Sequence, residues 1–585
     1  MVFGCNRMTP ATPATSRSNG AAPGGRWPAA VLLFVFLLWG WMFIRSTSFV
    51  VDGVRYYCLF DDAMISMTYA RNLCEGYGLN WARQDEPVEG FTHPLWMLLM
   101  IPVNALPIAL AKRSLVIQLF SLTLLALNVL AVRALALRCS WGTARHWLLA
   151  ATLTTFYYPL NYWSLLGMET GLQALLTTLA VLLALDLVDR ERRGVRRHLT
   201  LWMVLTAAYL LRMDMLLLAI AVEGYVAAEG GVRREERRRW MAGLAIFAGS
   251  ALAYSLFRWL YFHDLLPNTY YLKLTGVATS VRLLRGLSSL RQYAAEHLAV
   301  VLAAAIVIAT CARRQRRLLL PAAVAALYFG YSVYVGGDAW DSDLRAGRFV
   351  VFVMPLVFVL LNTGVNRLLA AWRARWPGPG GEQGRVGTRP PIDRVGTRPP
   401  QDRVGTRPAD ATRRRALETA VLAANLLLWL VLANGLLLSP RALGNRRDLA
   451  LRWAPFAVVG HQIVLQEVRE LRSFVAPGAV VATAWAGIPA YFTDYKMIDL
   501  LGYNDREVAR LPSQMPYDRH NYDELRPGHN KWDPWAALAQ RPDAFFQTWG
   551  LPLDRQSHIM RRHGYVQQGT FWLRADSDKV RLPPA

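Results

Sequence analysis

The sequence predicts an α-helical polytopic membrane protein of about eleven spans with a C-terminal extracytoplasmic α/β soluble domain. Three observations predict this class. Hydrophobic residues make up 54% of the 585 residues and charged residues only 18%, against about 25% in soluble proteins. The apolar residues collect in long runs, each near the length that crosses a bilayer. Most of the net charge of +24 lies between these runs, in short basic segments.

The spans are predicted from ten apolar stretches, since a helix needs about 20 apolar residues to cross a membrane. The stretch 199–228 is too long for one span and is interrupted by Arg212 and Asp214. We therefore expect two short helices that turn at these residues, and a buried structural ion pair between them in preference to a substrate contact. The ten stretches are 29–44, 114–137, 146–163, 170–188, 199–228, 240–260, 297–312, 318–336, 348–371 and 416–438.

The orientation follows from the basic residues. The first run lacks a small-residue cleavage site, so we interpret it as a retained signal anchor with the N-terminus inside. The inner segments then hold 31 basic and 11 acidic residues, as the positive-inside rule requires. This pattern needs 94–110, which Pro102 and Pro107 interrupt, to lie in the outer interface; a crossing segment would reverse every later loop. The inner segments are 1–28, 138–146, 186–198, 229–239, 313–317 and 367–418.

Composition divides the chain into five parts. Within the linker, residues 385–410 repeat with a period of nine as RVGTRPPID, RVGTRPPQD and RVGTRPAD. These repeats have no apolar face and cannot form a core. The outer domain mixes a strand-like run at 479–485 with a helical run at 454–475. The parts are a disordered cytoplasmic tail (1–28), a transmembrane domain (29–371) with a first external loop (45–113), a basic Pro-rich linker (372–415), the last span (416–438) and the soluble domain (439–585).

Several function classes are disfavoured. A nucleic-acid-binding protein would carry its basic excess on one folded face, whereas here it lies in short loops and the linker, so we expect no nucleic-acid partner. The sequence has no Walker loop, HExxH or CxxC motif, and no repeat of broken helices typical of transporters. Cys58 and Cys74 share the first external loop, where a disulfide is possible, although free thiols are favoured.

The first external loop holds the clearest chemistry. Asp61 and Asp62 open a helical run that closes at Gly76, so they could simply cap the helix and favour its dipole. Adjacent carboxylates directly after a span could also bind a divalent cation or remove a proton from a sugar hydroxyl. Farther along the loop, Glu89 and His93 could contact an acceptor or be solvated loop residues.

The string DDAMISMTYARNLCEGYGLNW…EPVEGFTHPLW is followed in order by GMET (167–170), LLPNTYYLK (265–273), VGGDAW…RF (335–349) and IDLLGYND (498–505). Together these motifs resemble the C-type glycosyltransferase superfamily. They are most similar to the family that contains the terminal β-(1→2)-arabinofuranosyltransferase of the actinobacterial cell wall. The chain departs from that family at Met64, Met67 and Thr68, where relatives often carry an aromatic residue or Arg.

The resemblance implies the C-type glycosyltransferase fold and a catalytic transmembrane domain. It implies an enzyme of the cytoplasmic membrane that moves a sugar, arabinofuranose first, from a polyprenyl-phosphate donor to a cell-envelope polysaccharide or glycolipid on the outer side. Arabinogalactan and lipoarabinomannan are such acceptors, and membrane lipid is a further partner. Mannose or another hexose is the alternative sugar, and a non-catalytic envelope assembly factor is the alternative function.

The resemblance also implies roles for individual residues. Asp61 or Asp62 would be the catalytic base, and Glu169 could join them in holding Mg, Mn or Ca, although it could equally cap a span. Four residues would contact the acceptor or support the residues that do: Glu89, His93, Glu169 and Asp338. The residues implied at the donor phosphate are Asn268, Tyr270, Tyr271, Lys273, Arg345 and Arg348.

Three sets of residues have two interpretations each. Tyr270 and Tyr271 could belong to an interfacial aromatic belt, and Asp338 could form a simple surface pair with an arginine. In the outer domain, four tryptophans could stack on sugar rings, although such residues are more often part of a core. These tryptophans are Trp485, Trp532, Trp535 and Trp549.

Overall fold

The structure is a computed structural model. It describes residues 27–83, 86–140, 147–189, 195–230, 234, 236–312, 315–341, 347–375, 408–437, 439, 441–548 and 551–582. The first elements are α1 (Trp27–Ser46), β1 (Ser48–Val51), β2 (Val54–Tyr57), α2 (Asp61–Cys74), α3 (Pro94–Ala105), α4 (Leu110–Cys139), α5 (Leu148–Thr155), α6 (Tyr158–Leu165) and α7 (Thr170–Val188).

The middle of the chain continues as helices joined by short connections. A single 3₁₀ turn at Met213–Met215 separates α8 from α9, and another at Arg316–Leu318 leads into α13. The elements are α8 (Val195–Leu211), α9 (Leu216–Ala228), α10 (Arg237–Phe262), α11 (Asn268–Leu274), α12 (Thr279–Cys311), α13 (Leu319–Val335), α14 (Arg348–Val351) and α15 (Met354–Arg375).

Eight helices among the described residues are long and apolar enough to cross a membrane: α1, α4, α7, α10, α12, α13 with its preceding turn, α15 and α16 (Pro408–Ala433). The chain is therefore a multi-pass membrane protein. The other three expected spans are helical but shorter. The stretch 146–163 is broken at Phe156 and Tyr157, ahead of Pro159, and 199–228 divides into α8 and α9 at the charged turn, as predicted.

Two helices extend into the segment predicted as the linker. The predicted linker is 372–415, and α15 continues to Arg375 while α16 begins at Pro408. The nine-residue repeats, and the tail up to residue 26, lie outside the described residues. Cys58 and Cys74 are free thiols, as favoured.

The first external loop folds into compact pieces. β1 and β2 form an antiparallel hairpin whose two-residue turn is Asp52–Gly53, both with positive φ, as a tight hairpin turn requires. The predicted helix at Asp61 is present as α2, most of whose residues are buried. α3 has 12 residues and is about 18 Å long, which is too short to cross a bilayer. This length agrees with the expectation that 94–110 does not span.

The C-terminal part confirms the expected α/β domain. Its five-stranded sheet has the order β4-β3-β5-β7-β6, with β4, β3 and β5 parallel and the other neighbouring pairs antiparallel. The elements are α17 (Ala442–Leu449), α18 (Phe456–Phe474), β3 (Val480–Thr483), α19 (Ile488–Phe492), β4 (Lys496–Asp499), α20 (Arg506–Arg510), α21 (Pro534–Ala539), β5 (Ala544–Phe546), α22 (Pro552–Arg555), α23 (Ser557–Arg562), β6 (Tyr565–Gln568) and β7 (Phe571–Arg574).

The domain packs on one end of the helical bundle. The loops after β3 and β4 face the bundle, because Gly487 contacts Asp61 and Asn504 accepts a hydrogen bond from Tyr69 on α2. Basic segments meet at the opposite end, through the ion pairs Arg138–Asp186, Arg316–Glu229 and Arg317–Asp189. All six residues belong to predicted inner segments, so these segments lie together, and which end faces the cytoplasm stays a prediction.

Candidate functional site

A cavity of about 170 Å³ lies between the helical bundle and the C-terminal domain. Its wall comes from the first external loop, the start of α7, the turn between α8 and α9, α11, the segment before α14, and the C-terminal domain. The cavity collects seven of the predicted site residues, which are Asp62, His93, Glu169, Tyr270, Lys273, Asp338 and Arg348.

The side chains of the two adjacent aspartates contact different parts of the molecule, because consecutive residues of a helix point about 100° apart. Asp62 lines the cavity. Asp61 instead accepts hydrogen bonds from the backbone N–H groups of Gly487 (3.1 Å) and Ile488 (2.9 Å) at the start of α19. Burial raises the pKa of Asp61 to about 7, although these two N–H groups oppose the rise. The structure therefore assigns Asp61 to the domain contact and leaves Asp62 as the cavity carboxylate.

Arg348 joins Asp62 to a second acid. Its guanidinium lies 2.9 Å from Asp62 and 3.2 Å from Asp338, and all three side chains are buried or nearly so. Burial alone would raise the pKa of Asp62, but the charges of Arg348 and Lys273 outweigh it and lower that pKa. Arg348, which was expected at the donor phosphate, is thus held by two carboxylates. The alternative of an ion pair between Asp338 and an arginine is therefore present, but buried instead of at the surface.

Glu169 belongs to a second charged group in the same cavity. It accepts a hydrogen bond of 2.7 Å from Arg212, which also binds Asp214 at 2.9 Å, so the predicted Arg212–Asp214 pair is present and includes a third member. His93 lies 3.5 Å from Glu169 and 2.7 Å from Ser66. Burial opposes ionisation of Glu169, but His93 and Arg212 outweigh it and lower its pKa to about 2.

Lys273 also lines the cavity. Unlike Arg212 and Arg348, its ammonium has no hydrogen-bond or ion-pair partner among the described residues. It lies over the ring of Tyr503, 5.4 Å from the ring centre. Burial and the nearby charge of Arg348 lower the pKa of Lys273 to about 8, while Asp62 opposes this shift. A cation placed in this way is available to an anionic ligand.

Besides Asp61, three of the predicted residues that the structure describes do not line the cavity. Glu89 forms a buried ion pair with Arg258 of α10, at 2.5 Å, rather than facing an acceptor. The Asn268 amide donates to the backbone carbonyls of residues 502, 503 and 505, and so fixes the C-terminal domain. Tyr271 stacks against Arg510, 4.0 Å from its ring centre. Arg345 lies outside the described residues.

The C-terminal domain supplies cavity residues that sequence reasoning missed. Tyr503 and Pro527 line the wall, and Gly528 packs so closely on Tyr503 and Lys273 that a Cβ there would meet both. Tyr503 lies in the IDLLGYND motif, so the motif was a usable signal, whereas nothing marked the segment at 527–529. The described tryptophans named above, Trp485, Trp532 and Trp535, do not line the cavity, and Trp549 lies outside the described residues.

The expected metal ligands do not converge. Asp61 binds backbone N–H groups, Asp62 binds Arg348, and Glu169 binds Arg212. Within the described ranges, no group of three His, Cys, Asp or Glu residues could hold a metal ion. Asp61, Asp62 and Glu169 therefore do not fit the divalent cation that the resemblance implied, since their carboxylates are engaged in separate contacts.

Comparison with known proteins gives limited matches. A family profile described as "Domain of unknown function (DUF8728)" matches residues 457–581, within the C-terminal domain. No curated protein sequence matches the chain. Two crystal structures of ArnT from Cupriavidus metallidurans are similar, each with a TM-score of 0.49, over 91% of this chain and 95% of that chain. One is in the apo state, at 12% identity, and the other is bound to undecaprenyl phosphate, at 13% identity.

Proposed function

We propose that the protein is a membrane glycosyltransferase that uses a polyprenyl-phosphate sugar as donor and a cell-envelope glycan as acceptor. The observation that carries the proposal is the placement of Lys273 beside the Asp62–Arg348 pair in one cavity. An unpaired ammonium can take a phosphate and a neighbouring carboxylate can take a proton, which are the two charge-handling tasks of transfer from a phosphate leaving group.

The donor phosphate would bind between Lys273 and Arg348. Lysine offers a point charge to a phosphate, and arginine offers a planar fork of donors. Both side chains keep the leaving phosphate's negative charge stabilised as the bond to the sugar breaks, and the surrounding low-dielectric walls strengthen that stabilisation. Arg212, held by Glu169 and Asp214, belongs to a separate charged group of the same cavity.

Asp62 would be the general base. In the free protein its pKa is lowered mainly by Arg348, which makes it a weak base despite its burial. A phosphate that draws Arg348 toward itself removes part of that stabilisation and adds a negative charge nearby, so the pKa of Asp62 rises. The carboxylate then accepts the proton of the acceptor hydroxyl as that oxygen attacks the sugar. The donor would thus activate the base that its own transfer needs.

The acceptor would approach from the C-terminal domain, because a glycan is too polar to enter the hydrocarbon region. Tyr503 and Pro527 supply a flat aromatic and apolar wall on that side, and such surfaces pack well against sugar rings. Arabinofuranose is the first candidate sugar, from the resemblance of the first-loop motifs, and a hexose is the second. The site would face the outer side of the cytoplasmic membrane, with the N-terminus inside.

The test is transfer by the purified full-length protein in proteoliposomes. Synthetic polyprenyl-phosphate arabinofuranose and polyprenyl-phosphate mannose are offered separately, each with an envelope glycan acceptor. Product from the first donor supports the proposal in full, and product from the second alone corrects the sugar. Donor binding with no transfer from either would indicate a non-catalytic assembly factor, and the absence of both binding and transfer would overturn the substrate class.

A further inference from the structure

The C-terminal domain carries an apolar surface that the proposed reaction does not use. It is formed by the described residues between 437 and 463, which connect the last span to the domain, and we name it the 437–463 surface. Its large hydrophobic side chains are between 47% and 68% exposed, although most residues of this type are buried elsewhere in the domain. The exposed residues are Leu437, Leu443, Trp453, Phe456, Val459 and Ile463.

This surface lies beside the end of α16 and beside α1. Asn445 donates to the carbonyl of Gly435, and Arg446 donates to that of Leu436, so α17 folds back against the end of α16. The indole of Trp39, on α1, donates to the carbonyl of Leu449 at 3.0 Å. Trp39 lies seven residues before the end of α1 at Ser46, which corresponds to about 10 Å along the helix axis.

The exposed face of α18 changes character along its length. Phe456, Val459 and Ile463 are exposed on its first two turns, whereas Gln466 and Glu470 take the same face farther on. The opposite face packs against the domain throughout. The apolar part of the exposed face is therefore confined to the first two turns of α18, about 10 Å of helix, nearest in sequence to the span.

The charge of the surface is also one-sided. The segment 437–463 contains four arginines and a single acid, Asp448. The guanidinium of Arg447 lies 4.8 Å from the ring centre of Trp453, so a cation and an aromatic ring are paired at the edge of the apolar patch. Aromatic rings and basic side chains together are enriched where proteins meet lipid headgroups. The exposed arginines are Arg441, Arg446, Arg447 and Arg452.

We propose that the 437–463 surface docks the C-terminal domain on the membrane and contacts anionic lipid headgroups. The occupant follows from three observations: the surface continues directly from a span, the exposed apolar side chains of α18 lie on its first two turns, and four arginines against one acid complement an anionic leaflet. Docking would hold the domain, and with it the cavity wall at Tyr503 and Pro527, at the height of the bilayer surface. The inference does not depend on the proposed transfer reaction.

The test places an environment-sensitive probe on α18 of the full-length protein in nanodiscs. Cys5 and Cys74 are replaced by serine, and the other cysteines are buried. A cysteine is then introduced in V459C or, as the matched control, in E470C. The two positions are eleven residues apart and share one face of the helix. We expect lipids with a nitroxide near the headgroup to quench the probe at 459 at least about twofold more than at 470.

A second arm tests the charge. Phosphatidylglycerol should increase quenching at position 459 over phosphatidylcholine alone, and Arg447→Glu with Arg452→Glu should abolish that increase while leaving the thermal midpoint unchanged. Equal quenching at 459 and 470 would overturn membrane docking. Energy transfer between labelled copies, with no quenching at 459 by the nitroxide lipids, would instead identify the surface as an interface between two copies and would also overturn it.

Discussion

The Arg348 guanidinium donates to the Asp62 carboxylate at 2.9 Å, across 286 residues of sequence. The same guanidinium lies 3.2 Å from Asp338. Asp62 opens a helix of the first external loop, and Arg348 begins the short helix that precedes α15. This contact brings the expected base together with an expected phosphate ligand before any donor is present. Variants can separate the cavity residues that take part in the reaction from those that hold the structure together.

Asp62→Asn should lower transfer by about 10²–10⁴-fold, the range typical of a lost general base. The amide keeps the shape of the side chain but cannot accept a proton, and Arg348 retains Asp338 as a partner. Transfer is measured in proteoliposomes with saturating donor. Asp523→Asn, at an exposed acid of the C-terminal domain, is the control and should retain full activity. Activity of Asp62→Asn within threefold of the parent would remove Asp62 from the chemistry.

Lys273 should impose an alkaline limit on donor use. Its ammonium is charged below a pKa of about 8, so attraction for the donor phosphate is complete at lower pH and declines as the pH rises through that value. We expect kcat/KM for the donor to fall above about pH 8. Lys273→Arg should move this decline beyond the measurable range, because a guanidinium stays charged. An alkaline decline that is identical in Lys273→Arg would assign it to another group.

Gly487→Ala should weaken docking of the C-terminal domain. A Cβ at this position would collide with the backbone oxygen of Asp61, which cannot move without shifting the start of α2. Overpacking of this kind costs about 1–3 kcal/mol. Gly444→Ala is the matched control, since no atom lies within 4 Å of its added methyl group. Thermal unfolding and limited proteolysis are compared, and equal behaviour of the two variants would contradict the contact.

Glu89 should matter for folding rather than for the acceptor. Glu89→Met leaves the buried Arg258 guanidinium without its carboxylate, a change that typically costs about 3–5 kcal/mol. The double variant with Arg258→Met should recover much of that loss, because both charges are then removed. A double-mutant cycle on the thermal midpoint measures the coupling. Additive losses, together with a raised KM for the acceptor, would return Glu89 to the binding role that the first-loop motif implied.

Asp61 should make stability depend on pH near neutrality. Its pKa is raised from an ordinary value of 3.8 to about 7, so between these values the folded protein binds a proton that the unfolded chain does not. The contribution of Asp61 to stability is therefore greatest below pH 4 and is lost as the pH rises through 7. The thermal midpoint of Asp61→Asn relative to the parent should rise between pH 6 and pH 8. A constant difference would show that Asp61 is ionised throughout this range.

Much of the architecture could be read from local patterns. Long apolar runs predict spans because each must satisfy its own backbone in hydrocarbon, and the break at Arg212–Asp214 predicted two short helices. Helix α2 was predicted from its starting aspartates and its apolar face. These features depend on residues close together in the chain, so their physics is contained in short stretches of sequence.

The sequence motifs identified only some of the site residues correctly. Seven of the predicted residues line one cavity, but the motifs could not say that Asn268 and Glu89 hold the structure together. Each of these has a partner more than 150 residues away along the chain. A polar side chain in a motif has the same appearance whether it faces a ligand or a distant carbonyl, so sequence alone does not separate the two roles.

The sequence by itself determined the class of the protein: apolar runs, basic loops and an α/β tail are local properties. Only the tertiary structure decided how the adjacent aspartates divide, with Asp61 turned to the backbone of Gly487 and Asp62 turned to Arg348. The physical reason is that helix geometry sends neighbouring side chains in different directions, while packing of elements distant in sequence decides what each one meets.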